Sequence, residues 1–253
     1  LKAENLRMSA ELEVTRQLQQ MILPKQAELE QVEGLEIAGF MEPAEQVGGD
    51  YYDVLPANGQ VKISIGDVTG HGLESGVLML MTQTAVRTLQ ESKITDPVQF
   101  LDILNRTIYH NIERMRSDKN LTLAVLDYAK GKLNVSGQHE ETIVVRADGN
   151  IERVDTVDLG FPIGLDAEIA EFVSQIQIQL NYGDVVVLYT DGITEAEDMK
   201  SNLYGIEKLC EIVKENRQLS AKEIRQLVIE DVRQHIGKQK IFDDITLVVL
   251  KQK

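Results

Sequence analysis

The chain changes hydrophobic period repeatedly. Val61, Ile63 and Ile65 alternate with polar residues, and residues 171–180 alternate throughout, so both segments are predicted as strands. Shorter apolar segments predict strands over 35–41, after Asp50, over 121–128, 132–136, 142–146 and 151–154, and over 244–250. Residues 185–189 are apolar almost without a break, as in a strand covered on both faces. Asn58-Gly59, Lys130-Gly131 and Asp148-Gly149 mark hairpin turns. Four segments read as helices: 73–91, 96–116, 204–216 and 220–236. The second opens with Asp96 as cap and Pro97 in its first turn, and the fourth opens with a Ser220/Glu223 capping box. The helices come in pairs inside a strand-rich chain, with no strand–helix–strand alternation. The fold class is therefore α+β, with helix pairs covering antiparallel sheets.

Residues 1–23 contain no Gly or Pro and are rich in Glu, Gln, Leu and Arg, so they predict a helix ended by Pro24. Leu1, Met8 and Ile22 share one heptad position and Leu12 the companion one, while Asn5, Thr15 and Gln19 interrupt the seam. Such a seam serves either a short coiled coil, which would make a homodimer, or a helix packed on its own domain. The expected division is a linker helix over 1–24 and one domain over 25–253. The first residue is Leu, so the chain is expected to be a piece of a longer protein.

Three strands meet carboxylates at their ends. The strand 61–66 runs into Asp67, the strand 185–189 into Thr190-Asp191, and the last strand starts from Asp243-Asp244. If the last strand is antiparallel to the others, its start lies beside their ends. The Asn58-Gly59 hairpin brings Asp50 to the same end as Asp67. Clustered carboxylates repel and raise one another's pKa unless a cation intervenes, and hard cations with oxygen ligands fit that need. Asp67 and Gly70 could equally be plain turn residues at a strand end.

Composition narrows the classes. The 253 residues carry 41 acidic and 26 basic side chains, a formal charge of −15, which disfavours nucleic acid and an anionic membrane surface as partners. The single cysteine, Cys210, excludes an internal disulfide framework and reads as a buried thiol. No apolar run is long enough to span a membrane and no signal peptide is visible, so a cytoplasmic location is expected.

Taken in order, GGDYYDV, SIGDVTGHG, YTDGITEA and DDITLVV resemble the motifs of the PPM-type (type 2C) serine/threonine protein phosphatases, in the bacterial SpoIIE/RsbU-like branch. The resemblance runs from about residue 10 to the end. It implies two antiparallel sheets packed as a sandwich with helix pairs outside, and a centre of two Mn²⁺ or Mg²⁺ ions. Asp67 would bridge both ions, with the Val68 carbonyl as a further ligand. Asp191 and Asp243 would complete one shell, and Asp50 would serve the other. Asp67 and Asp191 are the catalytic pair in this assignment, and Asp53 and Asp244 support the ligands. The resemblance also implies attack by metal-activated water on a phosphoserine or phosphothreonine. The substrate would be a regulatory protein, an anti-sigma-factor antagonist of the STAS type, and a sensor domain would lie upstream.

The sequence departs from that pattern in places. The stretch EPAEQV before Asp50 lacks the arginine that grips phosphate in the wider family. His71 lies too far beyond Asp67 for the wider family's proton donor. SGQHE, residues 136–140, replaces the branch's usual AGH-and-proline motif; His139 is either near the site or in a turn, and the turn is the expectation. Two other readings compete: a phosphatase-fold module that binds without catalysing, and a metal-nucleotide enzyme suggested by Gly48-Gly49-Asp50 alone.

Overall fold

The computed structural model describes residues 17, 19–44, 47–57 and 59–253. Two five-stranded sheets face each other. One has the order β1–β10–β9–β6–β7 and the other β2–β3–β4–β5–β8, with every neighbouring pair antiparallel. The strands of the first are Leu35–Glu42, Ile245–Gln252, Val185–Tyr189, Thr142–Val145 and Ile151–Val154; those of the second are Tyr51–Ala57, Gln60–Val68, Leu121–Ala129, Lys132–Ser136 and Gln175–Gln179. The helices are α1 (Gln26–Leu29), α2 (Leu73–Glu91), α3 (Pro97–Met115), α4 (Asp191–Thr194), α5 (Ile206–Glu215) and α6 (Ala221–Ile236).

Period-2 alternation builds four layers. Tyr52, Val54, Ile63, Ile65, Val186, Leu188, Val248 and Leu250 point inward and fill the space between the sheets. Val185, Val187, Tyr189, Leu247 and Val249 point outward into a second core under α5 and α6. Tyr51, Leu55, Leu123 and Val125 do the same on the other sheet under α2 and α3. This is why residues 185–189 carry no polar position. Cys210 is buried in the α5/α6 layer, as expected.

The caps and turns match the sequence. The Asp96 side chain accepts from Gln99 N–H at 2.8 Å, and Ser220 and Glu223 form their reciprocal box. Ala57 pairs with Gln60 across the first hairpin, where Gly59 takes φ +77°. One strand is shorter than expected. Residues 170–172 form a 3₁₀ turn and β8 begins only at Gln175, because Val173 is drawn into the α2/α3 core. On α2 the inner face is buried, but Val77, Leu80 and Met81 stay half-exposed.

Leu1, Met8, Leu12, Asn5 and Thr15 lie outside the described residues. Residues 17 and 19–22 are helical, and the helix ends before Pro24 as expected. Its described end packs on the domain: Gln19 is 1% exposed and donates to Gly48 O at 2.9 Å, and Ile22 joins the α2/α3 core.

Candidate active site

The inward alternation of four strands continues past the apolar core to one end of the sandwich. Two residues beyond Ile65 stands Asp67; two before Tyr52 stands Asp50; two beyond Leu188 stands Thr190. Two and four residues before Val248 stand Thr246 and Asp244. Tyr51 pairs with Gly66, and Leu247 with Tyr189, so both strand pairs end at the same mouth. Asp191 opens α4 one residue beyond that register, and Asp243 precedes β10.

Polar contacts lock the two sheets together here. Asp50 Oδ2 accepts from Thr190 Oγ1 at 2.7 Å and from Thr246 Oγ1. Asp244 accepts from the N–H groups of Ala44 and Gly49, each at 2.8 Å, and of Asp50 at 3.3 Å. Asp244 is therefore the brace of the loop that carries Asp50. Asp243 Oδ1 accepts from Asp244 N–H at 2.8 Å. The glycines of this loop are required by close approach. A Cβ on Gly48 would sit 2.0 Å from Asp244 Oδ2, and one on Gly49 2.6 Å from Val68 O.

The charges interact strongly. Burial, and then the Asp191, Asp243 and Asp244 carboxylates, push Asp67 up to about 8. Burial followed by Asp243 and Glu195 pushes Asp191 up to about 6. Asp50 is raised well above the carboxylate range by burial, then by Asp67 and Asp244. Buried carboxylates that raise one another in this way are a donor set for a hard cation. Among the described residues no three His, Cys, Asp or Glu side chains already surround a single point as a cage. The group is coupled through charge rather than preformed around an ion.

The structure brings Asp50, Asp67, Val68, Asp191, Asp243 and Asp244 to one mouth. Asp53 is not among them. It lies three residues from Asp50 on the outer face of β2, where it accepts from Gln83 at 3.2 Å and stands 3.7 Å from Arg87 of α2. An odd offset along a strand reverses the face, so Asp53 anchors α2 instead of supporting the cluster.

Sequence reasoning missed Thr190 and Thr246, and for His139 it favoured the turn over the site. The two threonines sit on the inward alternation and could have been found by extending it. His139 lies just beyond the bend at 137–138, and its ring reaches the site. Nδ1 lies 2.8 Å from Thr122 Oγ1 and Nε2 3.1 Å from Tyr189 O. Burial lowers its pKa to about 4. Neighbouring Glu140 is raised by burial, then by Asp191 and Glu195.

An antiparallel double sandwich with paired outer helices and an acidic mouth defines the class, that of the PP2C-type phosphatases. Residues 57–253 match the model of the family described as Stage II sporulation protein E (SpoIIE), and the chain belongs to that family, in its RsbU-like branch. It is 27% identical over 250 residues to the phosphoserine phosphatase RsbU of Bacillus subtilis (strain 168), covering 97% of this chain and 71% of that protein. The SiaA-PP2C domain of Pseudomonas aeruginosa superposes with a TM-score of 0.85 at 16% identity, over all of both chains. The catalytic domain of the serine/threonine protein phosphatase PstP, solved in complex with two manganese ions, superposes with a TM-score of 0.62 at 16% identity, over 86% of this chain and 97% of that one.

Proposed function

We propose that this chain hydrolyses a phosphoserine or phosphothreonine on a regulatory protein, with two Mn²⁺ or Mg²⁺ ions held at the acidic mouth. The observation that carries this reading is the convergence of Asp50, Asp67 and Asp191 at one buried mouth, where burial and neighbouring carboxylates raise all three and a bound cation would favour their ionised forms. Asp50, Asp67, Asp191, Asp243 and the Val68 carbonyl are the residues that would hold the ions. Bound there, the ions would supply a water of lowered pKa and neutralise phosphoryl oxygens. The chain's own part is positional. Thr190 and Thr246 fix Asp50, Asp244 fixes the backbone around it, and Gly49 lets that backbone lie against Val68 O. The competing nucleotide-enzyme reading loses support, because Gly48-Gly49 serves this close approach within an all-antiparallel sandwich.

A whole folded protein is the substrate that best fits the rim. Leu73 and Phe242 are 55% and 56% exposed, one shortly after Asp67 and the other directly before Asp243. Met199 and Leu203, beyond Asp191, are exposed as well. Apolar side chains beside an acidic centre suit protein docking better than capture of a small phosphate ester. The similarity to RsbU favours a STAS-type anti-sigma-factor antagonist as that protein, and an upstream sensor domain as the source of control. The deciding experiment is phosphate release from a serine-phosphorylated antagonist protein. Activity should be absent in excess EDTA and return with Mn²⁺. Full turnover in EDTA, or none with Mn²⁺ on any phosphoprotein, would overturn the reading.

A further inference from the structure

Among the described residues the two sheets share no strand-to-strand backbone hydrogen bonds, so side chains help to set the separation between Asp67 and Asp191. On the β2 flank that task falls to Asp50 and Asp244. On the β4 flank a different device occupies the equivalent place. Thr122 of β4 is the direct cross-strand partner of Asp67. Thr190 N–H donates to Thr246 O at 3.2 Å, toward β10, so Tyr189 turns its own peptide groups to the opposite side. There β6 pairs with β9 only as far as Ile143 with Val187, which leaves the Tyr189 carbonyl beyond the ladder. The His139 ring fills that gap and reaches Thr122 on its other side.

We infer that His139 is a positioning residue, a crossbar between the two sheets that sets the spacing of Asp67 and Asp191 for metal binding. The inference rests on the metal-dependent reading of the mouth. Its polarity follows from the partners. A carbonyl can only accept, so Nε2 carries the hydrogen and donates to Tyr189 O. In the neutral ring Nδ1 is then an acceptor, and the Thr122 hydroxyl donates to it. The backbone holds the ring in place: His139 N–H donates to Thr156 Oγ1 at 2.9 Å, and Thr156 Oγ1 donates back to His139 O. Each end of the crossbar is bonded to a strand that carries a proposed ligand or pairs with one. Tyr189 is two residues from Asp191, and Thr122 is opposite Asp67. Residues that orient metal ligands through hydrogen bonds typically govern affinity by about 10–100-fold.

The test is Mn²⁺ binding by titration calorimetry, with thermal unfolding in EDTA and phosphatase kinetics measured in parallel. His139→Phe keeps a ring of similar size and removes both bonds; Thr122→Val removes only the donor. Both should weaken Mn²⁺ binding by roughly 10-fold or more. The double variant should be no weaker than His139→Phe alone, because the two residues form one connection. His139→Gln, which offers an acceptor and a donor, should recover part of the affinity. If His139→Phe does not fold, Thr122→Val decides the matter alone. Wild-type Mn²⁺ affinity in Thr122→Val and in any folded His139→Phe, with only the unfolding temperature lowered, would reduce His139 to a packing residue and overturn the inference. A wild-type protein that binds no Mn²⁺ would instead overturn the metal-dependent reading itself.

Discussion

At the scale of single residues, the acidic mouth makes the metal-free protein sensitive to alkali. Asp67 ordinarily titrates near 3.8 and is raised to about 8 in the fold. A carboxyl with a raised folded pKa keeps its full stability contribution below its unfolded pKa and loses it as pH rises through the folded value. The melting temperature in EDTA should therefore fall between pH 4 and pH 8, and Asp67→Asn should flatten that slope. Saturating Mn²⁺ should reverse it, since cation binding requires the ionised form. A metal-free protein that grows more stable across this window would contradict the assignment. The neighbouring pair Asp243-Asp244 separates two roles. Asp243→Asn removes a repelling charge and a proposed ligand, so Mn²⁺ affinity should drop while metal-free stability holds or rises. Asp244→Asn keeps one acceptor oxygen where two served, so the N–H of either Ala44 or Gly49 loses its partner at about 1–3 kcal/mol, and metal-free stability should fall. Parallel melts in EDTA distinguish them.

At the scale of elements, the short helix α4 determines where Asp191 points. It can start at once after β9 because Gly192 has no side chain. A Cβ there would lie 1.9 Å from Asp244 O, a backbone atom that cannot move without shifting β10. Gly192→Ala should destabilise the fold by roughly 1–3 kcal/mol, toward the upper end, and displace Asp191 from Asp243. Calorimetric unfolding and Mn²⁺ titration would show both losses together. Loss of neither would mean that β10 yields more easily than its central position in the sheet implies. The β2–β3 hairpin has the complementary task. Its two-residue turn fixes register, and register puts Asp50 and Asp67 side by side on the inner face and Asp53 on the outer one.

At the scale of the whole molecule, the proposed function assigns catalysis and recognition to different parts of the sandwich. The acidic residues of the mouth draw on both sheets, while Leu73, Met199, Leu203 and Phe242 are exposed in the segments that follow Asp67 and Asp191 and precede Asp243. Binding energy from such remote contacts is used to position phosphorus. The intact phosphoprotein should then exceed a short phosphopeptide from the same site by about 10-fold or more in kcat/KM, as single interface contacts commonly contribute 1–2 kcal/mol. Equal values for the two substrates would make this a general phosphatase. Among the described residues no helix is long and apolar enough to cross a membrane. The end of the N-terminal helix reaches the loop of Asp50 through Gln19 and Gly48, so the packed-helix alternative describes at least that end.

The sequence alone determined the elements and most of the mouth. Alternation, caps and turn glycines are local, and four Asp-bearing strand ends in a fixed order were enough to expect a shared site. Hairpin geometry is also local, which is why Asp50 and Asp67 could be paired in advance. What only the tertiary structure decided is the contacts between elements: Thr190 and Thr246 on Asp50, Asp244 accepting from Gly49 N–H, Asp53 turned away under α2, and His139 spanning Thr122 and Tyr189 O. These contacts join residues 17 to about 200 positions apart; periodicity puts Thr190 and Thr246 on the inner face but does not name their partners. They follow from the spacing and relative rotation of two packed sheets, which exist only once the core has formed.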